Sequence, residues 1–309
     1  MRIAEPEPCF LTPGHEISRQ DSRLLRSWIL APERKIKSIV TSPPYFNRHV
    51  KYGNDINGNP IGDVFKNRDE YFEYLYSTFN NCYYNSTDDC VLWLNGPADH
   101  TMFEFAEDWI SEQWTVQNRF FWCFSGTTPT PDGKEHSWGQ FSPNTSKTKV
   151  HNCCEMIWQL HKTNKKPAAL NKLVDGVPYC DESNLNRFTA KNNGKTKANI
   201  RSRGNLLCIP YETKQKREHP ATFPVALAGR CMDMQTNLQS FDWVCDPYMG
   251  AGNAGVAAMQ RGLNFVGMDL NLDYVTKATI KVEEQIAKNQ ANCRAELKRL
   301  GAIFGDSGC

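Results

Sequence analysis

The chain has 309 residues, 40% hydrophobic and 23% charged, enough to bury a large core as one domain or as a core with a small companion. Its formal net charge of +2 names no partner, and no apolar stretch approaches the length of a bilayer span, which argues against a membrane protein. Residues 1–13 lack the basic start and apolar run of a signal peptide, so a cytoplasmic setting with reduced thiols is expected. The 12 cysteines include no C-x-x-C pair, and no metal site is expected from them.

In chain order, Ile36–Val40 is apolar on both faces, the pattern of a buried parallel strand, and it runs into Thr41-Ser42-Pro43-Pro44-Tyr45. Helical spacing follows over Asp69–Phe79, a second apolar strand over Cys90–Leu94, and helical spacing again over Met102–Ile110. Phe120–Phe124 and Cys154–Leu160 read as an antiparallel hairpin at one sheet edge, enclosing the turn-rich Gly126–Ser146. Thr163–Arg203 is rich in Lys, Asn and Gly and has no apolar period, so a small inserted module or a loop ordered on binding is expected. Beyond it come a helix over Pro224–Met234, a strand at Trp243–Cys245, a helix over Ala254–Arg261, a strand at Phe265–Met268 and a helix over Tyr274–Leu300. Strands alternating with helices predict an α/β fold with a mostly parallel sheet and helices on both faces.

Two strand ends carry chemistry. At the first, prolines cannot continue a ladder and stiffen the chain where the strand stops. That loop offers a hydroxyl (Ser42), a rigid carbonyl (Pro43) and an aromatic face (Tyr45) at the carboxyl edge of the sheet, where ligands of α/β folds bind. The exocyclic nitrogen of cytosine or adenine is a poor nucleophile because its lone pair is delocalised into the ring. Two acceptors taking its hydrogens draw it towards sp³ geometry, and an aromatic ring can stack on a base rotated out of the duplex. A plain structural turn is the competing reading.

At the second, "FDWVCDPYMGAGNAG" (Phe241–Gly255) is a strand ending in Asp246-Pro247, then a loop with Gly250 and Gly252 that enters a helix. Glycines and a helix N-terminus would also suit a dinucleotide. Asp246 shifts the reading, since a carboxylate at a strand tip suits a ligand ammonium and repels a pyrophosphate. Asp269 closes the next strand 23 residues on, where an acidic residue can accept ribose hydroxyls; a helix N-cap is the competing role. An ammonium partner and a ribose partner together fit S-adenosylmethionine. Charge is uneven as well: Lys162–Arg217 holds thirteen basic and four acidic residues, a local net charge of +9, leaving −7 elsewhere. Such a segment is what a phosphate-contacting surface needs, although a solvated loop would look the same.

Taken together, these motifs resemble the circularly permuted β-group of DNA amino-methyltransferases, in which the catalytic motif precedes the cofactor motif and target recognition lies between. "ISRQDSRLL" (Ile17–Leu25), "TSPPY" (Thr41–Tyr45), "IGDVFKNRDEYFEYL" (Ile61–Leu75), "VLWLNG" (Val91–Gly96), "HPATFPVALAGR" (His219–Arg230) and "DPYMGAG" (Asp246–Gly252) carry the resemblance through most of the chain. The resemblance implies a Rossmann-like S-adenosylmethionine-dependent methyltransferase fold with an antiparallel edge hairpin. Residues 1–162 would form the catalytic half, 163–217 the recognition insert and 218–309 the cofactor-binding half. It implies Ser42, Pro43, Pro44 and Tyr45 as catalytic residues. Asp21, Thr41, His219, Phe223, Pro224, Asp246, Pro247, Tyr248, Gly250, Gly252, Asn253 and Asp269 would contact the cofactor. Arg187, Lys195, Lys197, Arg201 and Arg203 are candidate DNA contacts, each weighed against an ordinary surface residue. A serine at the first catalytic position is usual for cytosine N4 and an aspartate for adenine N6. Ser42 therefore favours site-specific cytosine-N4 methylation, with adenine N6 next and an RNA or small-molecule acceptor third. Double-stranded DNA is the expected partner, with a restriction endonuclease counterpart and a homodimer as further expectations for an enzyme of bacterial or phage type. The sequence departs from the family at "NSTDDC" (Asn85–Cys90), where a Lys-Pro-Gly-Gly turn is usual, and at Gln20 and Asn253. A cytosine-C5 mechanism lacks its cysteine nucleophile, because the only Pro-Cys pair is Pro8-Cys9 and no strand precedes it.

Overall fold

The computed structural model describes residues 13–23, 34–46, 51–54, 60–62, 65–129, 132–139, 147–148, 150, 152–174, 176–179, 200–211 and 223–304. Eight strands form the main sheet: β1 (His15–Arg19), β2 (Ile36–Thr41), β3 (Ser86–Gly96), β4 (Trp114–Cys123), β5 (Cys154–Lys162), β6 (Leu206–Cys208), β7 (Trp243–Asp246) and β8 (Asn264–Asp269). Their spatial order is β1-β8-β7-β2-β3-β5-β4-β6. Every neighbouring pair is parallel except the two that β5 makes, so β5 alone runs against the rest. Short two-stranded ribbons pair residues 51–54 with 60–62, Ser125–Pro129 with Glu135–Gly139, and Val177–Pro178 with Ile200–Arg201.

The strands expected from apolar runs are present; Ser86–Gly96 extends well beyond Cys90–Leu94 on both sides, and Trp114–Cys123 starts before Phe120 and stops one residue short of Phe124. The antiparallel hairpin is β4 with β5, and it lies one strand inside the sheet edge, because three residues of the Lys-rich region, Leu206–Cys208, pair in parallel with Phe121–Cys123. The opposite edge is finished by β1, whose register runs from His15 against Phe265 to Arg19 against Asp269.

Helices cover both faces. Helices α1 (Arg68–Tyr84) and α2 (His100–Glu104), the latter continued by a π-helical turn at Phe105–Trp109, lie over one face. Helices α3 (Val225–Met234), α4 (Asn253–Met259) and α5 (Leu272–Phe304) lie over the other. Helix α1 starts where Asn67 accepts the Glu70 amide, and α2 where Asp99 accepts that of Met102, as N-caps do. The period of two in the strands assigns the core. In β3, Val91 and Trp93 join Leu227, Ala257 and Phe265 on the α3–α5 face, whereas Leu92 and Leu94 join Tyr71, Phe79 and Trp158 on the α1 face. All ten side chains are at most 2% exposed, and each contributes about 1.5–3 kcal/mol when large and apolar. Burial on both faces is why these strands read as continuous apolar runs rather than alternating ones. Among the described residues, no helix is long and apolar enough to cross a membrane.

Candidate active site

Because β2 and β7 are parallel neighbours, the loops after Thr41 and Asp246 leave the same rim side by side. Thr41 Oγ1 donates a 2.7 Å hydrogen bond to Asp246 Oδ1 across 205 residues of sequence, joining the two loops that carry the chemical motifs. The Tyr248 amide also donates to Asp246 Oδ1, at 3.1 Å. The other oxygen, Oδ2, is buried without a hydrogen-bond partner among the described residues, and Asp246 as a whole is only 1% exposed. Burial pushes its pKa up to about 7, against the opposing pull of the Thr41 and Tyr248 hydrogen bonds.

Asp269 ends the adjacent strand. Its Oδ2 accepts the Gly250 amide at 3.0 Å and its Oδ1 the Asn271 amide at 2.8 Å, so each oxygen keeps a lone pair for a further donor. Burial raises its pKa to about 6. Following β1, the Gln20 amide donates to the Asp269 carbonyl at 3.1 Å, bringing Asp21 to the same end of the sheet. The Asp21 carboxylate is gripped by the forked guanidinium of Arg23, which stacks 5.0 Å over the Tyr74 ring. Tyr74 in turn faces the Tyr248 ring at 6.0 Å, and the Tyr248 hydroxyl donates to Thr78 Oγ1 at 2.8 Å. Pro247 and Tyr248 thereby lean the cofactor-type loop on α1.

Between the two strands the loop turns on Gly252, whose φ of 83° lies in the left-handed region. A Cβ there would come 2.7 Å from Ala278 Cβ. Gly252→Ala is therefore expected to destabilise the protein by about 3 kcal/mol, from left-handed strain plus overpacking, which thermal denaturation measures; an unchanged melting temperature would contradict the tight turn. Asn253, read from sequence as a departure, begins α4 with its Nδ2 donating 2.9 Å to the Phe223 carbonyl, so it fixes Phe223 and Pro224 beside the glycines. Its Oδ1 is buried and unpartnered among the described residues.

In the Pro-Pro loop, Ser42 Oγ and Tyr45 Oη are 3.1 Å apart, and Tyr45 Oη donates to Glu155 Oε2 at 3.0 Å. Tyr45 is 8% exposed, and burial together with the Glu155 charge holds its hydroxyl well above the usual phenol range, hence protonated. Pro43 is buried and Pro44 half-buried. The Pro44 carbonyl accepts 2.8 Å from the buried Tyr71 hydroxyl, and Phe46 stacks on the Tyr71 ring at 5.4 Å. Glu155 and Tyr71 were not singled out from sequence. Glu155 had a visible signal, a lone charge inside the apolar run of β5, whereas Tyr71 lies in a helix dense with aromatics and had none.

The arrangement brings together Asp21, Thr41, Ser42, Pro43, Pro44, Tyr45, Phe223, Pro224, Asp246, Pro247, Tyr248, Gly250, Gly252, Asn253 and Asp269 along one rim. Arg201 lies in the ribbon with Val177–Pro178, Arg203 follows it, and both are exposed. His219, Arg187, Lys195 and Lys197 lie outside the described residues.

Comparison with known proteins places the chain in a family and a fold. A DNA methylase family model for N6 and N4 methyltransferases matches residues 36–281. The type II methyltransferase M.XycI of Xanthomonas campestris pv. cyanopsidis is 25% identical over 312 residues, covering 92% of each chain. M.SmaI of Serratia marcescens is 26% identical over 260 residues, covering 79% of this chain and 83% of its own. Among solved structures, the cytosine-N4-specific PvuII DNA methyltransferase aligns with a TM-score of 0.56 at 19% identity, over 90% of this chain and 93% of that one. The M1.HpyAVI–SAM complex aligns with a TM-score of 0.53 at 15% identity, over 87% and 98%. These structural likenesses concern the Rossmann-like methyltransferase fold. The family match covers well over half of the sequence: the chain belongs to the DNA methylase family of N6 and N4 methyltransferases.

Proposed function

We propose that this protein transfers a methyl group from S-adenosylmethionine to the N4 amino group of a cytosine flipped out of double-stranded DNA. The observation that carries the reading is the Thr41–Asp246 hydrogen bond, which sets a cofactor-type loop against a loop of amine acceptors. The residues present fit the cofactor. A buried carboxylate oxygen without a partner is costly unless a ligand supplies a donor, and Asp246 Oδ2 suits an ammonium. The spare lone pairs of Asp269 suit two ribose hydroxyls, and the αL turn at Gly252 allows backbone to approach a ligand closely. Asp21, with Tyr248 and Pro247, would hold the adenine side; Thr41, His219, Phe223, Pro224 and Asn253 would line the methionine side.

When bound, S-adenosylmethionine supplies an electrophilic methyl group. The chain's own contribution is to orient the amine: Ser42 Oγ and the Pro43 carbonyl accept its two hydrogens, localising the nitrogen lone pair. Tyr45 provides an aromatic surface for the flipped base, and Pro44, tied to Tyr71, keeps the loop rigid. Orientation of this kind acts on the transition state more than on ground-state binding. Cytosine is preferred to adenine because Ser42 occupies the position where an adenine-type site carries aspartate.

The basic segment 163–217, with Arg187, Lys195, Lys197, Arg201 and Arg203, would supply phosphate contacts and part of target recognition. DNA affinity is then expected to fall by about a thousandfold between about 50 and 200 mM salt if about six phosphates are contacted. Filter-binding titration reads this, and a flat response removes the segment's assigned role. A restriction endonuclease recognising the same site is a further part of this reading, suggested by the type II relatives, and a homodimer is a further part that rests on the sequence expectation alone. The direct test is incubation of unmodified DNA with the protein and cofactor, followed by nucleoside mass spectrometry. N4-methylcytosine is expected, N6-methyladenine would move the assignment to the sister specificity, and unmodified DNA would overturn it.

A further inference from the structure

The Ser42–Tyr45–Glu155 chain of hydrogen bonds has a direction, and that direction matters to the amine. A hydroxyl donates once and accepts twice, and an ionised carboxylate only accepts. Tyr45 Oη donates to Glu155 Oε2 at 3.0 Å, so its single proton is committed. Across the 3.1 Å contact between Ser42 Oγ and Tyr45 Oη, Ser42 must then be the donor. With its own proton turned inward, Ser42 presents only lone pairs to the rim.

We propose that Glu155 is a positioning residue which, through Tyr45, holds Ser42 Oγ as an acceptor for the target amine; this rests on the amino-methyltransferase reading above. Without the carboxylate, Tyr45 is free to donate to Ser42 instead. The Ser42 proton then points outward, towards a nitrogen that already carries two hydrogens. Glu155 is well built for the task. It stands on β5, opposite Trp122 of β4, and not on a loop. The next residue is pinned from the other side, where the buried Asn95 donates from Nδ2 to the Met156 carbonyl at 3.1 Å. The carboxylate is thus delivered from the one reversed strand of the sheet to the loop of the strand two positions away. Burial and the Glu155 charge keep Tyr45 protonated, as a relay of this polarity requires.

The polarity can be read without turnover. Replacing the amino group of the target by a carbonyl, uracil for cytosine or hypoxanthine for a mapped adenine, exchanges a hydrogen-bond donor for an acceptor. The cofactor-free protein should favour the amino base, and Glu155→Leu, which removes the acceptor for Tyr45, should reduce that preference by about tenfold, the scale of one hydrogen bond to a charged group. Comparing the ratio of affinities between wild type and variant cancels the effect of the mismatch on base opening. In the same set, kcat on unmodified plasmid DNA should fall by about tenfold or more with KM little changed. Tyr45→Phe should lower the base preference similarly, and Glu155→Leu added to Tyr45→Phe should change nothing further, since the link is already cut. Melting temperatures establish that each variant is folded, and Glu155→Ala serves as a second variant if the leucine protein is not. An unchanged base preference in a folded Glu155→Leu protein, or additive losses in the double variant, overturns the proposal. Wild-type protein that methylates no DNA instead overturns the parent reading.

Discussion

Exchange of Asp246 for alanine or asparagine is expected to weaken S-adenosylmethionine binding by about a hundredfold or more, because removing one partner of a buried ion pair costs about 3–5 kcal/mol. Isothermal titration at pH 8 reads the loss directly, and wild-type affinity in the asparagine variant would sink the assigned role. The carboxylate also gives the effect a pH signature. Its pKa stands at about 7, so below that value the site must shed a proton to receive an ammonium. Wild-type affinity should therefore fall as pH drops below about 7, by about tenfold per unit, and this limb should vanish in the asparagine variant. Stability has the opposite sign. A buried carboxyl with a raised pKa binds its proton more tightly in the folded state, so its contribution to stability is lost as pH rises from the ordinary 3.8 to about 7. Asp269, raised to about 6, acts in the same sense. The cofactor-free asparagine protein should consequently melt at a higher temperature than wild type above pH 7, while gaining far less from added cofactor. A site that costs stability when empty and loses function when relieved is what a binding carboxylate predicts.

Ser42→Ala is expected to lower kcat by about a hundredfold, the scale observed when one preorganised hydrogen-bonding group is removed from a polar active site. Cofactor affinity should be unchanged, because Ser42 bonds to Tyr45 and not to the Asp246 or Asp269 clusters. Single-turnover kinetics at saturating cofactor separate the two effects. Equal loss of affinity and rate would show that Ser42 holds the loop in shape and does not act on the amine.

Both loops were legible in the sequence because each follows a strand buried on both faces. Ile36–Thr41 and Trp243–Asp246 are apolar runs cut short by residues that cannot continue a ladder, Pro-Pro in one and Asp-Pro with glycines in the other. What escaped were elements whose pairing is tertiary. Strand β1, His-Glu-Ile-Ser-Arg, is half-buried along its length and has no apolar run; it exists because β8 offers an open edge. Strand β6, Leu-Leu-Cys, is a three-residue apolar run inside the Lys-rich segment, too short to read as a strand on its own, and is held by β4. The helix read over Met102–Ile110 proved to be one α-turn continued by a π-turn, a difference of one residue in hydrogen-bond spacing that side-chain periodicity does not resolve. Glu155 was passed over for a related reason: its strand was recognised, but its partner Tyr45 lies 110 residues away. Asn253 shows the reverse case, a departure from the family pattern that the structure uses as a tie to Phe223.

The account depends on one spatial claim, that the Ser42–Tyr45 and Asp246–Asn253 loops serve a single reaction. A crystal structure of the protein with a target-containing DNA duplex and a non-reactive amino analogue of S-adenosylmethionine tests it most directly. The expected result is the analogue's ammonium on Asp246 and the exocyclic nitrogen of an extruded base within hydrogen-bonding distance of Ser42 Oγ and the Pro43 carbonyl. A base lodged elsewhere, or an analogue bound away from Asp246, would contradict it.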